Sequence, residues 1–303
     1  MRGEAARGAE WAHRPERSHP WVIGLMVWIS LTAGRTIGRV VLRGIAAYFV
    51  LFAPAARRAS RGFLARALGR PATLRDVYRH VLWFASTIHD RIFLLSGRGR
   101  QLQVEVVGAE ALHQALADGR GCLLMGAHLG SFEALRAMGR ERAQLRVAMC
   151  MYEENARKIN QTLQAINPAA MQDIIALGRM DSMLAVRDRL DQGYLVGLLA
   201  DRSIGADAGL TLPFLGAPAR FPTGPWRLAL MLRRPVFLMA GLYLGGNRYQ
   251  LRFEPLADFS AVPQGQRQAA VEQAVRDYAQ SLERLVRESP WNWFNFYDFW
   301  EQR

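Results

Sequence analysis

Lysine is almost missing from this 303-residue chain. Lys158 is the only one among 39 basic residues, so arginine abundance is a matter of composition and no single arginine is a strong functional signal. Cysteine is scarce too. Cys122 and Cys150 stand alone inside separate apolar runs, which argues against a disulfide framework or a cysteine metal site and fits buried thiols in a reducing compartment. A clean run of about 20 apolar residues, the length of a membrane-spanning helix, does not occur. Residues 21–33 are uncharged but only thirteen long, and the apolar stretch 40–56 is interrupted by Arg43. No small-residue cleavage site follows the first apolar run, so a signal peptide fits poorly. A Gly-x-Ser-x-Gly elbow, metal-ligand spacings, internal repeats and low-complexity tracts are also wanting.

What is present suits a globular protein. Half of the residues are hydrophobic, enough for a substantial core at this length. The formal net charge is +13, and its distribution carries more information than its size. Residues 1–70 hold twelve arginines against three glutamates, so most of the excess is N-terminal. Arg35, Arg39 and Arg43 recur every four residues beside Ile37, Val41, Ile45, Tyr48 and Phe49. On one helix they predict a basic stripe flanking an apolar face, the build of an interfacial membrane helix. Arg57, Arg58, Arg61 and Arg66 then suit an anionic cytoplasmic leaflet. A helical hairpin buried against the main domain is the competing reading. Nucleic-acid binding predicts basic and aromatic residues interleaved across a folded face, whereas here the charge sits beside apolar stretches.

From about residue 101, short β-type runs alternate with helical periods. Strands are expected at 103–108, 122–126, 145–151, 174–177, 194–199 and 235–244, with helices at 109–117, 132–142, 155–166 and 182–191. Gly245-Gly246-Asn247 joins the last of these strands to 249–254 as a hairpin. Val271, Val275, Tyr278, Leu282 and Leu285 form the apolar stripe of a long final helix. The pattern predicts an α/β fold, layered, with a central mixed sheet flanked by helices. Three regions follow: a basic tail without structure at 1–20, a helical membrane-associating region at 21–100, and the α/β domain at 101–303. Residues 205–225, rich in Gly, Pro and Ala, read as a long functional loop. The aromatic run 291–300 fits packing of the chain end onto the domain, with an acyl tunnel or a bilayer headgroup layer as the alternatives.

One apolar strand leads through Gly126 and Ala127 to His128, Gly130, Ser131 and Glu133. A histidine near its ordinary pKa accepts a proton at neutral pH, and a carboxylate on its other ring nitrogen fixes the tautomer. Five residues turn an ideal helix through about 500°, leaving two side chains roughly 140° apart. His128 and Glu133 therefore meet only if His128 precedes the helix and Glu133 lies in its first turns, with Gly130 and Ser131 making the break and Ser131 as N-cap. A capped turn with a satisfied histidine is the plainer alternative.

Taken in order, these blocks resemble the bacterial lipid A late acyltransferase family, within the wider lysophospholipid and glycerophosphate acyltransferase superfamily. The resemblance covers most of the chain. It begins with the basic, apolar N-terminus and Arg43 to Phe49, and His128 with Glu133 matches the motif of His, four residues, then Asp or Glu. Ile175-Ala176-Leu177-Gly178-Arg179 resembles the second block and Gly197-Leu198-Leu199-Ala200-Asp201-Arg202 the third. That third block usually reads Asp-Gln in the lipid A family, so Arg202 is a departure. Phe214-Leu215-Gly216-Ala217-Pro218-Ala219-Arg220-Phe221-Pro222-Thr223-Gly224 is similar to the Phe-Phe-Gly-x-Pro-Ala block, Pro235-Val236-Phe237 to the final strand, and Pro290-Trp291-Asn292-Trp293-Phe294 imperfectly to a terminal Pro-x-x-Trp-x-Trp pattern.

The resemblance implies transfer of an acyl group from an acyl carrier protein or CoA thioester to a hydroxyl of a lipid or glycolipid, at the cytoplasmic face of the inner membrane. It implies no metal and no cofactor beyond the thioester co-substrate. His128 would act as general base, Glu133 as its orienting partner, and backbone N–H groups from Gly130 to Phe132 as oxyanion donors. Arg179, Arg202 and Arg220 would hold phosphate, and Asp201 would orient Arg202 or cap its loop. A thioesterase using water, or a membrane adaptor without catalysis, are the rival classes.

Overall fold

The computed structural model describes residues 20–138, 145–152, 174–178, 181–202 and 208–300. Three helices come first: α1 (Pro20–Phe52), α2 (Pro54–Leu68) and α3 (Leu74–Leu95). Gly34 breaks α1 with φ 83 and ψ 171, a conformation that side-chain-bearing residues avoid. A capping box starts α3: the Thr73 hydroxyl accepts from the Asp76 N–H, and the Asp76 carboxylate accepts from the Thr73 N–H.

The arginine stripe expected on α1 does not face outward as a unit. Arg35 Nε lies 2.8 Å from Asp90 Oδ1 and Arg39 Nη2 2.6 Å from Asp90 Oδ2, while Tyr249 Oη donates to the same carboxylate at 2.8 Å. Asp90 on α3 is fully buried, and a carboxylate there must be paired, so two of the three arginines turn inward. Arg43 stays exposed. The outer face of α1 is apolar instead, with Trp28, Ile37, Val40, Tyr48, Leu51 and Phe52 exposed. Among the described residues no single helix is long and apolar enough to cross a membrane; Ser30–Phe52 and Pro54–Leu68, bent by 95°, pass on length and composition only as a pair.

The domain that follows runs β1 (Gln103–Val107), α4 (Ala109–Ala115), β2 (Leu123–Gly126), α5 (Phe132–Met138), β3 (Val147–Tyr152), β4 (Ile174–Leu177), α6 (Ser182–Asp191) and β5 (Leu195–Leu199). A hairpin of β6 (Gly209–Phe214) and β7 (Ala217–Pro222) comes next, then α7 (Gly224–Leu232), β8 (Pro235–Gly245), β9 (Arg248–Asp258) and α8 (Arg267–Glu288). Seven strands form one sheet in the order β1-β9-β8-β2-β5-β3-β4. All neighbours are parallel except β8 and β9, so the sheet is mixed and flanked by helices. The expected strands and the hairpin at 245–247 are present, while the helix expected at 155–166 lies outside the described residues.

The long loop expected at 205–225 contains the β6–β7 hairpin. Leu210, Leu212 and Phe214 alternate as strand residues do, but three prolines and the Leu215-Gly216 turn, both at positive φ, resemble a loop in composition. Prolines survive because this ribbon is two-stranded and leaves outer edges unpaired.

Alternation along β2 divides the core. Leu123 and Met125 join Val196, Leu198, Val236 and Leu238 on the side covered by α8, whereas Cys122 and Leu124 join Leu195, Phe237 and Met239 on the other. Phe63 and Leu64 of α2 and Val77 of α3 belong to the first cluster, so the N-terminal helices share the core of the sheet. Both cysteines are free and buried, and burial pushes each thiol up to about 12.

Candidate active site

Strands β2 and β5 are parallel neighbours with Gly126 opposite Leu199. Two residues beyond each lie His128 and Asp201, so the register alone brings an imidazole and a carboxylate to the same level at the carboxyl edge of the sheet, where ligands bind in such folds. The contact is direct. His128 Nδ1 is 2.9 Å from Asp201 Oδ1, and the His128 backbone N–H reaches Asp201 Oδ2 at 3.2 Å. An ionised carboxylate only accepts, so Nδ1 carries the hydrogen and Nε2 is left with a bare lone pair. The Asp201 side chain has no exposure and that of His128 is 36% exposed, so the orienting group is buried and the imidazole it holds is partly open.

Burial alone would push the Asp201 carboxyl up, but His128 and Arg202 overcome this and hold it well below the usual carboxylate range. His128 is itself lowered: burial and the nearby Arg202 and Arg91 outweigh the pull of Asp201. The imidazole is therefore neutral at neutral pH, the form that accepts a proton.

The turn that carries His128 rests on β8. Gly130 has φ 74, and a Cβ there would meet the Gly241 carbonyl oxygen at 1.9 Å, so only glycine lets the turn lie on the strand. Ser131 N–H donates to Gly241 O at 2.7 Å, and Gly130 N–H to Asn292 O at 2.9 Å. Phe294 N–H donates to His128 O at 2.8 Å, closing the other side of the turn. Asn292 grips the Tyr243 backbone through both ends of its amide, accepting at 2.8 Å and donating at 3.1 Å. Tyr278 Oη of α8 donates to Gly126 O at 2.8 Å and secures the end of β2.

Several expected roles change. Asp201, not Glu133, sits on His128 Nδ1; Glu133 pairs instead with Arg91 Nε of α3 at 3.0 Å, because α5 begins after the Gly130 turn and carries its second residue toward α3. Ser131 stands at the N-cap position, but its buried hydroxyl has no hydrogen-bond partner among the described residues. The Gly130 and Ser131 N–H groups are spent on backbone carbonyls, which removes them as oxyanion donors. Arg202 is in the site, its side chain only 9% exposed, with Nη2 3.2 Å from Asp201 Oδ2 and its guanidinium 5.0 Å from the Tyr297 ring centroid. Arg220 is exposed on β7 and lies across Gly209, and Arg179 is outside the described residues. Among the described residues no cluster of three or more His, Cys, Asp or Glu is arranged to hold a metal ion.

Arg91, Asn292 and Trp293 complete the site and were not anticipated as site residues. The terminal aromatic run reads as packing, with an acyl tunnel or a bilayer headgroup layer as alternatives, and Trp293 packs edge to face on Phe214 and Phe299 in the core.

The fold is a mixed α/β sheet that holds a neutral imidazole on a buried carboxylate at a strand end, an arrangement that can accept a proton. The family is more specific. The chain matches the model of the bacterial lipid A biosynthesis acyltransferase family over residues 15–302, nearly its full length, and belongs to that family. No curated protein matches it closely enough to count as a relative.

Proposed function

We propose that this acyltransferase moves a fatty acyl group from an acyl carrier protein or CoA thioester to a hydroxyl of a lipid A-like or other glycolipid acceptor, with His128 as general base. The observation that carries this reading is the His128 Nδ1 contact with Asp201 Oδ1 at 2.9 Å, which leaves Nε2 without a hydrogen on a partly exposed imidazole. As the acceptor oxygen attacks the thioester carbonyl, its proton passes to Nε2 and Asp201 stabilises the imidazolium. Collapse of the tetrahedral intermediate breaks the carbon–sulfur bond, and the imidazolium returns the proton to the departing thiolate. No covalent acyl-enzyme is required. The Arg202 guanidinium, beside the dyad, suits the developing negative charge or a phosphate of either substrate.

The exposed apolar face of α1 and the exposed Arg58, Arg61 and Arg66 on α2 support association with an anionic membrane surface, the cytoplasmic leaflet of the inner membrane. Lipid mass spectrometry of a deletion strain tests the function. One lipid is expected to lose one acyl group and to regain it with the wild-type gene but not with His128→Ala; an unchanged lipid profile contradicts the reading.

A further inference from the structure

We infer that Trp293 is a positioning residue for the dyad: its indole N–H holds Asp201 while its own carbonyl is fixed on the buried His80. This deepens the reading above and rests on it for its consequence in catalysis. Asp201 Oδ1 faces His128 Nδ1, so the orientation of the imidazole depends on what prevents the carboxylate from rotating. Among the described residues Oδ2, besides lying 3.2 Å from His128 Nδ1, receives three other donors, the His128 backbone N–H, Arg202 Nη2 and Trp293 Nε1, each at 3.2 Å. The first moves with His128 and the second is the chain neighbour of Asp201. Of the three, Trp293 alone refers the carboxylate to a separate part of the molecule.

That part is firmly built. Trp293 is fully buried, forms a bridge with Leu129 beside His128, and packs edge to face on Phe63 and Phe299 with centroids 5.0 and 4.8 Å away. Its carbonyl lies 2.9 Å from His80 Nε2. A carbonyl only accepts, so Nε2 bears the hydrogen, Nδ1 is bare, and the Ser60 hydroxyl 2.8 Å away donates to it. Donation then runs from Ser60 on α2 to His80 on α3, to Trp293 and to Asp201, which also accepts from His128. The carbonyl and indole N–H of Trp293 are not joined by a transferable proton, so the series is a strut and not a proton relay. Its physical effect is to lock the plane of Asp201, and with it the direction of His128 Nε2, to the N-terminal helices.

The test replaces Trp293 with 3-benzothienylalanine, which keeps the bicyclic shape and removes only the N–H, in the full-length protein with isotope-labelled histidine. Among the described residues the charged and titratable groups facing the dyad are Arg202, Arg91 with its partner Glu133, and Tyr278; all are unchanged by this replacement. Without the indole donor more negative charge remains on Asp201, so the His128 titration followed by NMR is expected to move up, and the Nδ1–H signal to broaden as the carboxylate turns more freely. Acyl transfer is expected to fall about tenfold in kcat, the effect of losing one hydrogen bond to a charged group, with KM little changed. An unchanged titration and an unchanged Nδ1–H signal in this variant would overturn the inference. The NMR result stands apart from activity: wild-type turnover by His128→Ala would refute the catalytic reading, whatever the titration shows.

Discussion

The free lone pair of His128 is on Nε2, because Nδ1 carries the hydrogen that it donates to Asp201, 73 positions along the chain. That separation explains what the sequence could and could not reveal at this scale. His128 was legible from its strand, its glycine and the motif it matches. Its partner was assigned to Glu133, five residues away, because local spacing is visible in a sequence and the register of β2 against β5 is not. Glu133 instead holds Arg91, so Glu133→Gln is expected to leave the Nδ1–H tautomer of His128 as it is, read by histidine NMR. A tautomer shift as large as that of an Asp201 variant would return the orienting role to Glu133.

Among the elements, the strands were read closely because β2, β5 and β8 are continuous apolar runs, the mark of strands buried on both faces. The β6–β7 hairpin was missed because its prolines and glycines imitate a loop. On α1 the spacing of Arg35 and Arg39 correctly placed them on one face; which way that face turned depended on Asp90, buried on another helix. That network joins α1, α3 and β9 through Arg35, Arg39, Asp90 and Tyr249. Removing the carboxylate leaves two largely buried guanidinium groups without a counter-charge, so Asp90→Ala is expected to cost about 3 to 5 kcal/mol in urea unfolding. A loss under about 1 kcal/mol would mean that these arginines reach solvent.

For the molecule as a whole, the N-terminal helices are part of the core, and their buried histidines couple stability to pH. Burial pushes both His80 and His89 down to about 4, from 6.5 for a free imidazole, with Arg39 adding to the effect at His89. A depressed histidine contributes stability that is complete above its unfolded value. Below pH 6.5 the unfolded chain takes up protons that the folded chain refuses, so stability falls between 6.5 and about 4. By pH 5 each group accounts for about 2 kcal/mol, and the urea midpoint is expected to drop well below its pH 7.5 value. An unchanged midpoint would contradict the buried, neutral state of these residues. Family membership was legible in the order of the sequence blocks, but the sharing of one core by helices and sheet was not, since amphipathic helices bound for a membrane or for a protein core read alike. The central claim, that Asp201 holds His128 as the base for acyl transfer, is tested most directly by the turnover of Asp201→Asn with a lipid A precursor and an acyl carrier protein or CoA thioester. An amide that donates to Nδ1 would leave the hydrogen on Nε2, so kcat is expected to fall on the order of a thousandfold or more with the fold intact, whereas turnover within a few-fold of wild type would contradict the claim.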